Sequence, residues 1–356
     1  MAPLLERADA LQTLRRLLQS AAEGGRIVLV AGEAGIGKST LLRAAAATHD
    51  AVWWGHCDAL ETPLPLAPWL DIARDCRPRY AERLSGPRSA LFDAVLDDLR
   101  AAPAPRLVVI EDAHWADDAT LDLLKFVGRR IERTRALLVV SYRDDEVTAS
   151  HPLRRLIGEL PSAALTRLEL PRLSPAAVEA LAREVGRTAV GLHAATQGNP
   201  FFVTEVLRDP GAAVPRTVQD LVLARYARLA PPAQAVLRVV SLVPARIERS
   251  LLDALLGQPD IEAGIGSGLL QADAGHVSYR HELARAAVEA SLAVPVAQGL
   301  HAQLLQALAA RGDAVPPARL AHHATRAGDD AALRRHAPAA ASAAVARGSY
   351  REAAQH

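Results

Sequence analysis

Lysine is almost missing from this chain: Lys38 and Lys125 are the only two among 41 basic residues. That Arg- and Ala-rich usage reads as genomic base composition and carries no function by itself. Cysteine is equally scarce. Cys57 and Cys76 are too few and too widely separated for a disulfide framework or a Cys-based metal site, so packing in a reducing compartment is the expected role. No run of 18 apolar residues exists to span a bilayer, and Met-Ala-Pro-Leu-Leu-Glu-Arg at the start lacks the pattern of a signal peptide. A cytoplasmic location and no membrane partner are therefore expected. A net charge of +1 provides no basic field to draw the chain onto nucleic acid. The composition is otherwise that of a globular protein, half apolar and 23% charged, and 356 residues suggest two or three domains.

One of the two lysines stands in the most informative stretch. Gly32, Glu33, Ala34, Gly35, Ile36, Gly37, Lys38, Ser39 and Thr40 fit G-x-x-x-x-G-K-[ST], the phosphate-binding P-loop. The β-branched run Arg26–Ala31 ahead of it reads as a buried strand, and the sequence from Leu41 to Ala47 favours helix. Strand, glycine loop and helix is the context the motif requires. Glycines let successive backbone N–H groups turn toward an anion, and the following helix adds the positive end of its dipole. Lys38 is expected to reach the β- and γ-phosphates, and the Ser39 hydroxyl to ligate Mg2+.

A second strand, Arg106–Ile110, ends in Glu111 and Asp112, the Walker B pattern. Taken in order, Glu111 holds the metal and Asp112 polarises the attacking water. The reverse assignment differs by one residue of register and stays open. Asp117 reads as the N-cap of a helix over 118–132, and His114 and Trp115 as packing residues. Arg143 follows the strand Ala136–Ser141, on the ligand side of a parallel sheet. Contact with a γ-phosphate is one reading for it; a solvated arginine beside the acidic loop Asp144-Asp145-Glu146 is the other.

The rest of the chain gives organisation. Apolar spacing predicts a covering helix over 4–22, a strand over 51–57, helices near 66–76 and 88–101, and a fifth strand over 164–170. Strands alternating with helices predict an α/β fold with a parallel sheet. Short helices over 174–207 follow, then two helices over 216–243 broken at Pro231-Pro232, and a helix over 247–256. Strands at 268–272 and 276–280 flank an Asp273-Ala274-Gly275 turn before a helix over 281–291. That is a winged-helix order, yet residues 246–289 hold four arginines against seven acids, the wrong balance for reading phosphates. The last 55 residues are helical in pattern, and 347–354 look like the first helix of a tetratricopeptide-like hairpin without its partner, as if the chain continued. The expected domains are a P-loop NTPase domain (1–172), a helical lid (173–214), a winged-helix module (215–294) and the beginning of a helical-repeat domain (295–356).

The ordered set resembles the ATPase core of STAND NTPases, most closely the large ATP-binding regulators of the LuxR type. Four stretches carry the resemblance: the P-loop at 32–40, Val-Ile-Glu-Asp-Ala-His-Trp-Ala-Asp at 109–117, Gly-Asn-Pro-Phe-Phe-Val at 198–203 and Tyr-Arg-His-Glu-Leu-Ala-Arg at 279–285. It implies that Arg7, in Leu5-Glu6-Arg7, lines an adenine pocket, although Glu6 stands where a glycine is common. It further implies that Arg143 is a sensor arginine, that Pro200 packs on adenine, and that His281 meets the ADP β-phosphate. ATP or ADP with Mg2+ are the implied cofactors, and self-association in the ATP state is the implied behaviour. No Asn-Lys-x-Asp guanine reader is present.

Three functions follow from the sequence. The first is a slow ATPase switch of a transcription regulator responding to an unidentified signal, with DNA bound only through a domain outside this chain. The second is the same core driving a cyclase, kinase or immune-type assembly. The third is an AAA-type remodelling ATPase with Arg129, Arg130 or Arg133 as a finger in trans.

Overall fold

The computed structural model describes residues 5–355 apart from 60–62, 76–79, 81–82, 84–86, 209–217, 245, 274 and 313–314. The expectations for Leu4, Cys76, Ala274 and residues 216–217 therefore lie outside the described residues. The chain divides into two compact units, Met1–Pro171 together with Ala341–His356, and Arg172–Ala340.

The first unit is an α/β layer structure. Strands β1 (Arg26–Ala31), β2 (Val52–His56), β3 (Arg106–Glu111), β4 (Ala136–Tyr142) and β5 (Leu165–Glu169) form one parallel sheet in the order β2-β3-β4-β1-β5. Side chains alternate between its two faces, as the strand period of two requires. Ile27, Leu29, Val108, Ile110, Leu138 and Val140 enter the core on one face. Val28, Val30, Leu107, Val109, Leu137 and Val139 enter the core on the other, under helices α1 (Ala8–Ser20) and α2 (Lys38–Ala46). Burial on both faces explains why the inner strands β1, β3 and β4 read as continuous apolar runs rather than alternating ones.

Helices α3 (Ala67–Asp75), α4 (Arg88–Arg100), α5 (Asp118–Gly128) and α6 (Pro152–Glu159) complete the layers. Asp117 caps α5 as expected, accepting the Thr120 N–H at 3.0 Å. That helix ends four residues before the predicted boundary. Glycine is a poor helix former, and Gly128 lies so close to Leu160 that a Cβ would stand 2.4 Å from its Cδ2. A 3-10 turn, Ile131–Arg133, then leads into β4. The first helix is likewise shorter than the predicted 4–22, beginning only after Arg7.

The second unit is mainly helical. Its elements are α7 (Pro175–Glu184), α8 (Leu192–Thr196), α9 (Pro200–Arg208), α10 (Val218–Ala227), α11 (Pro231–Ser241), α12 (Arg249–Leu256), α13 (Ile261–Gly266), α14 (Glu282–Ser291), α15 (Val294–Ala309) and α16 (Pro317–Ala327). Pro231 and Pro232 open α11, where a missing N–H costs nothing. Strands β7 (Leu270–Asp273) and β8 (His276–Tyr279) pair antiparallel, and a two-residue strand β6 (Ile247–Glu248) joins β8 on its other edge. Sequence periodicity missed β6 and α13. Two residues show no period, and the six residues Ile261–Gly266 contain two glycines; Asp260 nonetheless starts that helix by accepting the Ala263 N–H at 3.1 Å.

Helix α17 (Asp330–Ala346) begins in the second unit, and its end, with α18 (Tyr350–Gln355), belongs to the first. The segment treated from sequence as the end of a continuous 295–356 region thus returns to the sheet-containing unit. Ser349 and Glu352 are both fully buried there.

Candidate nucleotide-binding site

The loop between β1 and α2 has the backbone its sequence demands. Gly32 (φ 149°), Gly35 (φ 77°) and Gly37 (φ 100°) all take conformations that L side chains rarely adopt. At Gly32 a Cβ would also stand 2.9 Å from Ile36 Cγ2. Helix α2 begins directly at Lys38, so the dipole and free N–H groups of its first turn face the loop. Lys38 is 7% exposed. Its Nζ donates to the carbonyls of Gly32 at 2.5 Å and Glu33 at 3.0 Å. Burial lowers its pKa, and Asp112 acts in the opposite sense.

Glu111 ends β3 and is 3% exposed. One carboxylate oxygen, Oε2, accepts the Trp54 Nε1 hydrogen at 2.9 Å and lies 3.4 Å from His56 Nε2. The other, Oε1, is buried and lacks a hydrogen-bond partner. Burial works to raise the Glu111 pKa, but His56 chiefly, with Ser39 and Arg43, holds it below its ordinary value. His56 also pairs with Asp71 at 3.4 Å. Burial opposes its charge, yet the bonds to Asp71 and Glu111 carry its pKa up to about 10. Sequence reasoning missed His56. The signal was the register of β2 on β3, which sets His56 opposite Glu111, and register is not visible from one strand alone.

Asp112 takes a left-handed conformation (φ 55°) that turns the chain out of β3, and its N–H donates to Ser141 Oγ at 3.2 Å. Burial, then the neighbouring Glu111 charge, raises its pKa to about 6, while Arg143 and Lys38 pull downward. The two carboxylates thus differ: Glu111 is held ionised, and Asp112 titrates near neutrality.

Arg143 follows β4, the strand between the P-loop strand and β3, so topology delivers it between Lys38 and Asp112. Its charge acts on both. The guanidinium pairs with Glu146 and lies 4.6 Å above the Trp115 ring. It is therefore paired with the acidic loop, as one reading held, but its side chain is only 11% exposed and not solvated. His114 accepts the Arg143 N–H at Nδ1 (3.4 Å), and its own carbonyl accepts from His151 Nε2 at 3.0 Å. Burial and the Arg143 and Lys38 charges push the His114 pKa down to about 2, which keeps the ring neutral and able to accept. His114 and Trp115, read as packing, thus also position Arg143.

Arg7 is 4% exposed and donates to three carbonyls, that of its neighbour Glu6 at 3.0 Å, Ile36 at 3.1 Å and Pro171 at 2.6 Å. It ties the P-loop to the chain after β5. Ile36 itself is buried in the core, while Glu33 and Ala34 stand half-buried at the loop. The residues present fit Mg2+: a serine hydroxyl and an orphaned, ionised carboxylate oxygen are hard donors of the kind that ion takes.

In the second unit, Pro200 is the first residue of α9, after Asn199, whose Oδ1 accepts the N–H groups of Phe201 and Phe202. His281 precedes α14, with its ring 4.3 Å from that of Phe201. Two neighbours in the same motif are anchors. The Tyr279 hydroxyl donates to the Leu237 carbonyl at 2.8 Å, and buried Arg285 donates to Glu282, to Glu289 and to the Ser241 carbonyl. Arg129 pairs with Glu159 at 3.5 Å, and Arg130, just past the end of α5, donates to the Phe126 carbonyl of that helix at 3.1 Å. No described helix is long and apolar enough to cross a membrane.

A family model described as an AAA ATPase domain matches residues 3–140. No curated protein matches the sequence. Among solved structures, a STAND protein with a tetratricopeptide repeat sensor from Pyrococcus horikoshii is similar over 100% of this chain and 58% of its own, at 17% identity and a TM-score of 0.66. The fold is therefore the one seen in that STAND ATPase, and the chain spans little more than half of its length. A Walker-type ATPase of Pyrococcus abyssi (13% identity, 80% of this chain and 96% of its own, TM-score 0.37) and Cdc6p of Pyrobaculum aerophilum (13%, 81% and 94%, 0.42) are more distant.

Proposed function

We propose that this chain, with an AAA ATPase domain in residues 3–140 and the fold of a STAND ATPase, is a slow Mg2+-dependent ATPase that serves as an adenine-nucleotide switch in a signal-responsive transcription regulator. One observation carries the nucleotide reading. Lys38, Glu111, Asp112 and Arg143 gather at one edge of the sheet, on the glycine loop and the ends of β3 and β4. The loop amides and Lys38 would bind the phosphates, and Ser39 and Glu111 would hold a Mg2+ ion, whose chemistry there would be to neutralise phosphate charge. Asp112 accepts a proton from the attacking water, and Arg143 answers the γ-phosphate after exchanging Glu146 for it.

The regulatory part of the reading rests on the resemblance. Pro200 and His281 are taken as nucleotide contacts of the second unit, residues 215–294 as a winged-helix module, and the later helices as the start of a repeat region. ADP favours a closed state and ATP a self-associating one, by as much as the two nucleotides differ in affinity for those states.

The test is to purify the chain without added nucleotide, denature it and identify what is released. ADP near one equivalent, lost in Lys38→Ala and in His281→Ala, supports the switch. An empty protein that turns ATP over many times a second sinks it in favour of a remodelling enzyme.

A further inference from the structure

Helices α15 and α16 bring three histidines together far in sequence from the P-loop. His301 comes from the middle of α15, and His322 and His323 are consecutive on α16. One ring nitrogen from each lies within 4.8 Å of the other two. His301 and His323 are 2% and 1% exposed, and His322 is half-buried. We propose that His301, His322 and His323 form a binding site for a borderline divalent transition-metal ion of the Zn2+ class, clasping α15 to α16.

The polar atoms of the cluster are poorly accounted for by the protein alone. His301 and His323 share one hydrogen bond, Nδ1 to Nδ1 at 2.9 Å, in which only one of the two can donate. His301 Nε2 and His322 Nδ1 are buried without any partner. Buried imidazole nitrogens normally find partners, so two orphans in one cluster need an explanation that packing does not supply. A shared cation would use lone pairs that now point at each other or at nothing.

The chemistry selects the class of ion. Burial lowers the pKa of all three rings, those of His301 and His322 to about 4 and that of His323 well below its ordinary value, which favours the neutral imidazoles that a metal ion takes. Three neutral nitrogens suit Zn2+, Co2+, Ni2+ or Cu2+, and suit Mg2+ or Ca2+ poorly, since those take oxygen. On a tetrahedral ion with bonds of about 2.0–2.1 Å the nitrogens sit roughly 3.3 Å apart, within reach of modest ring rotation. Glu289 is the acidic group nearest in effect, but it is committed to Arg285 at 2.7 Å and Arg326 at 2.9 Å. Water or a ligand from solution then takes the fourth position.

The full chain, free of any polyhistidine tag and stripped with chelator, is titrated with Zn2+ in excess Mg2+, which keeps the oxygen site of the P-loop occupied. One Zn2+ per chain is expected, with affinity falling at least about tenfold in His322→Ala and in His301→Gln and unchanged in His336→Ala. Co2+ in place of Zn2+ is expected to give the visible ligand-field absorption of a four-coordinate nitrogen site, lost in His322→Ala. His322 is half-buried, so that variant tolerates truncation even if His301→Gln does not fold. A wild-type chain that takes up no Zn2+, or Zn2+ binding that His322→Ala leaves unaltered, overturns the site.

Discussion

Ser349 and Asp117 are 232 residues apart in sequence and 2.8 Å apart in space, with the Ser349 hydroxyl donating to Asp117 Oδ1. Asp117 is 1% exposed and also accepts from Thr120 and from the Leu66 N–H. One carboxylate therefore caps α5, fixes the approach to α3 and receives the segment before α18. Arg351, on α18, adds an ion pair to Asp118 at 3.4 Å.

This shared acceptor predicts a graded series. Ser349→Ala removes the bond to Asp117 and the longer one, 3.4 Å, that its Oγ accepts from the Ala119 N–H, and is expected to lower unfolding stability by about 1–2 kcal/mol. Asp117→Ala removes the helix cap and leaves buried donors unsatisfied, for a loss of about 2–4 kcal/mol. Denaturant unfolding of both variants measures the difference. Equal losses would mean that Asp117 does not serve several donors at once.

Lys38 holds its charge in the glycine loop against the cost of burial, with its ammonium donating to the Gly32 and Glu33 carbonyls. Charge-assisted bonds to phosphate of about 1.5–3 kcal/mol convert to roughly a 10- to 100-fold weaker ADP affinity for Lys38→Ala, measured by calorimetry. Arg143→Ala is expected to spare ADP and weaken ATP if, as proposed, its guanidinium, whose charge acts on both Lys38 and Asp112, serves the terminal phosphate. Equal effects on the two nucleotides would remove it from that role.

The P-loop was legible in the sequence because a local backbone requirement, glycine at Gly32, Gly35 and Gly37, writes itself directly into residue choice. The carboxylates after β3 were legible for the same local reason. What escaped is contact between distant segments. His56 meets Glu111 through the register of two strands, and Ser349 meets Asp117 through the return of the chain end. The three histidines of α15 and α16 meet only because those helices pack. Arg143 shows both cases: its strand-end position and the acidic loop beside it were readable, whereas its place above the Trp115 ring was not.

Asp112 supplies a pH dependence. Its carboxyl titrates at about 6 in the free chain, above the ordinary aspartate value, so the ionised form grows in as pH rises through 6. If that form accepts the proton of the attacking water, kcat/KM for ATP falls about tenfold per unit below pH 6 and levels above it. Asp112→Asn is expected to lower turnover by about 100-fold or more and to flatten the profile. A steep acid limb that survives in Asp112→Asn assigns the titration to another group.

The pairing of His56 with Glu111 predicts an alkaline dependence of stability with a definite sign. In the unfolded chain His56 titrates near 6.5, and in the folded one at about 10, because Asp71 and Glu111 hold its proton. A raised pKa contributes stability that is fully present below about pH 6.5 and is lost as pH rises through about 10. His56 keeps 38% of its side chain exposed, so water screens the pair and the effect stays modest. Glu111, held below its ordinary value, adds a contribution lost in the opposite direction, as pH falls and the carboxylate protonates. His56→Gln retains a donor toward Glu111 without the charge. Its midpoint in urea is expected to lie below that of the wild type at pH 7, and the gap to close above pH 10. A gap that stays constant across that range would mean that His56 is neutral beside Glu111, and that the carboxylate owes its ionisation to Ser39 and Arg43 instead.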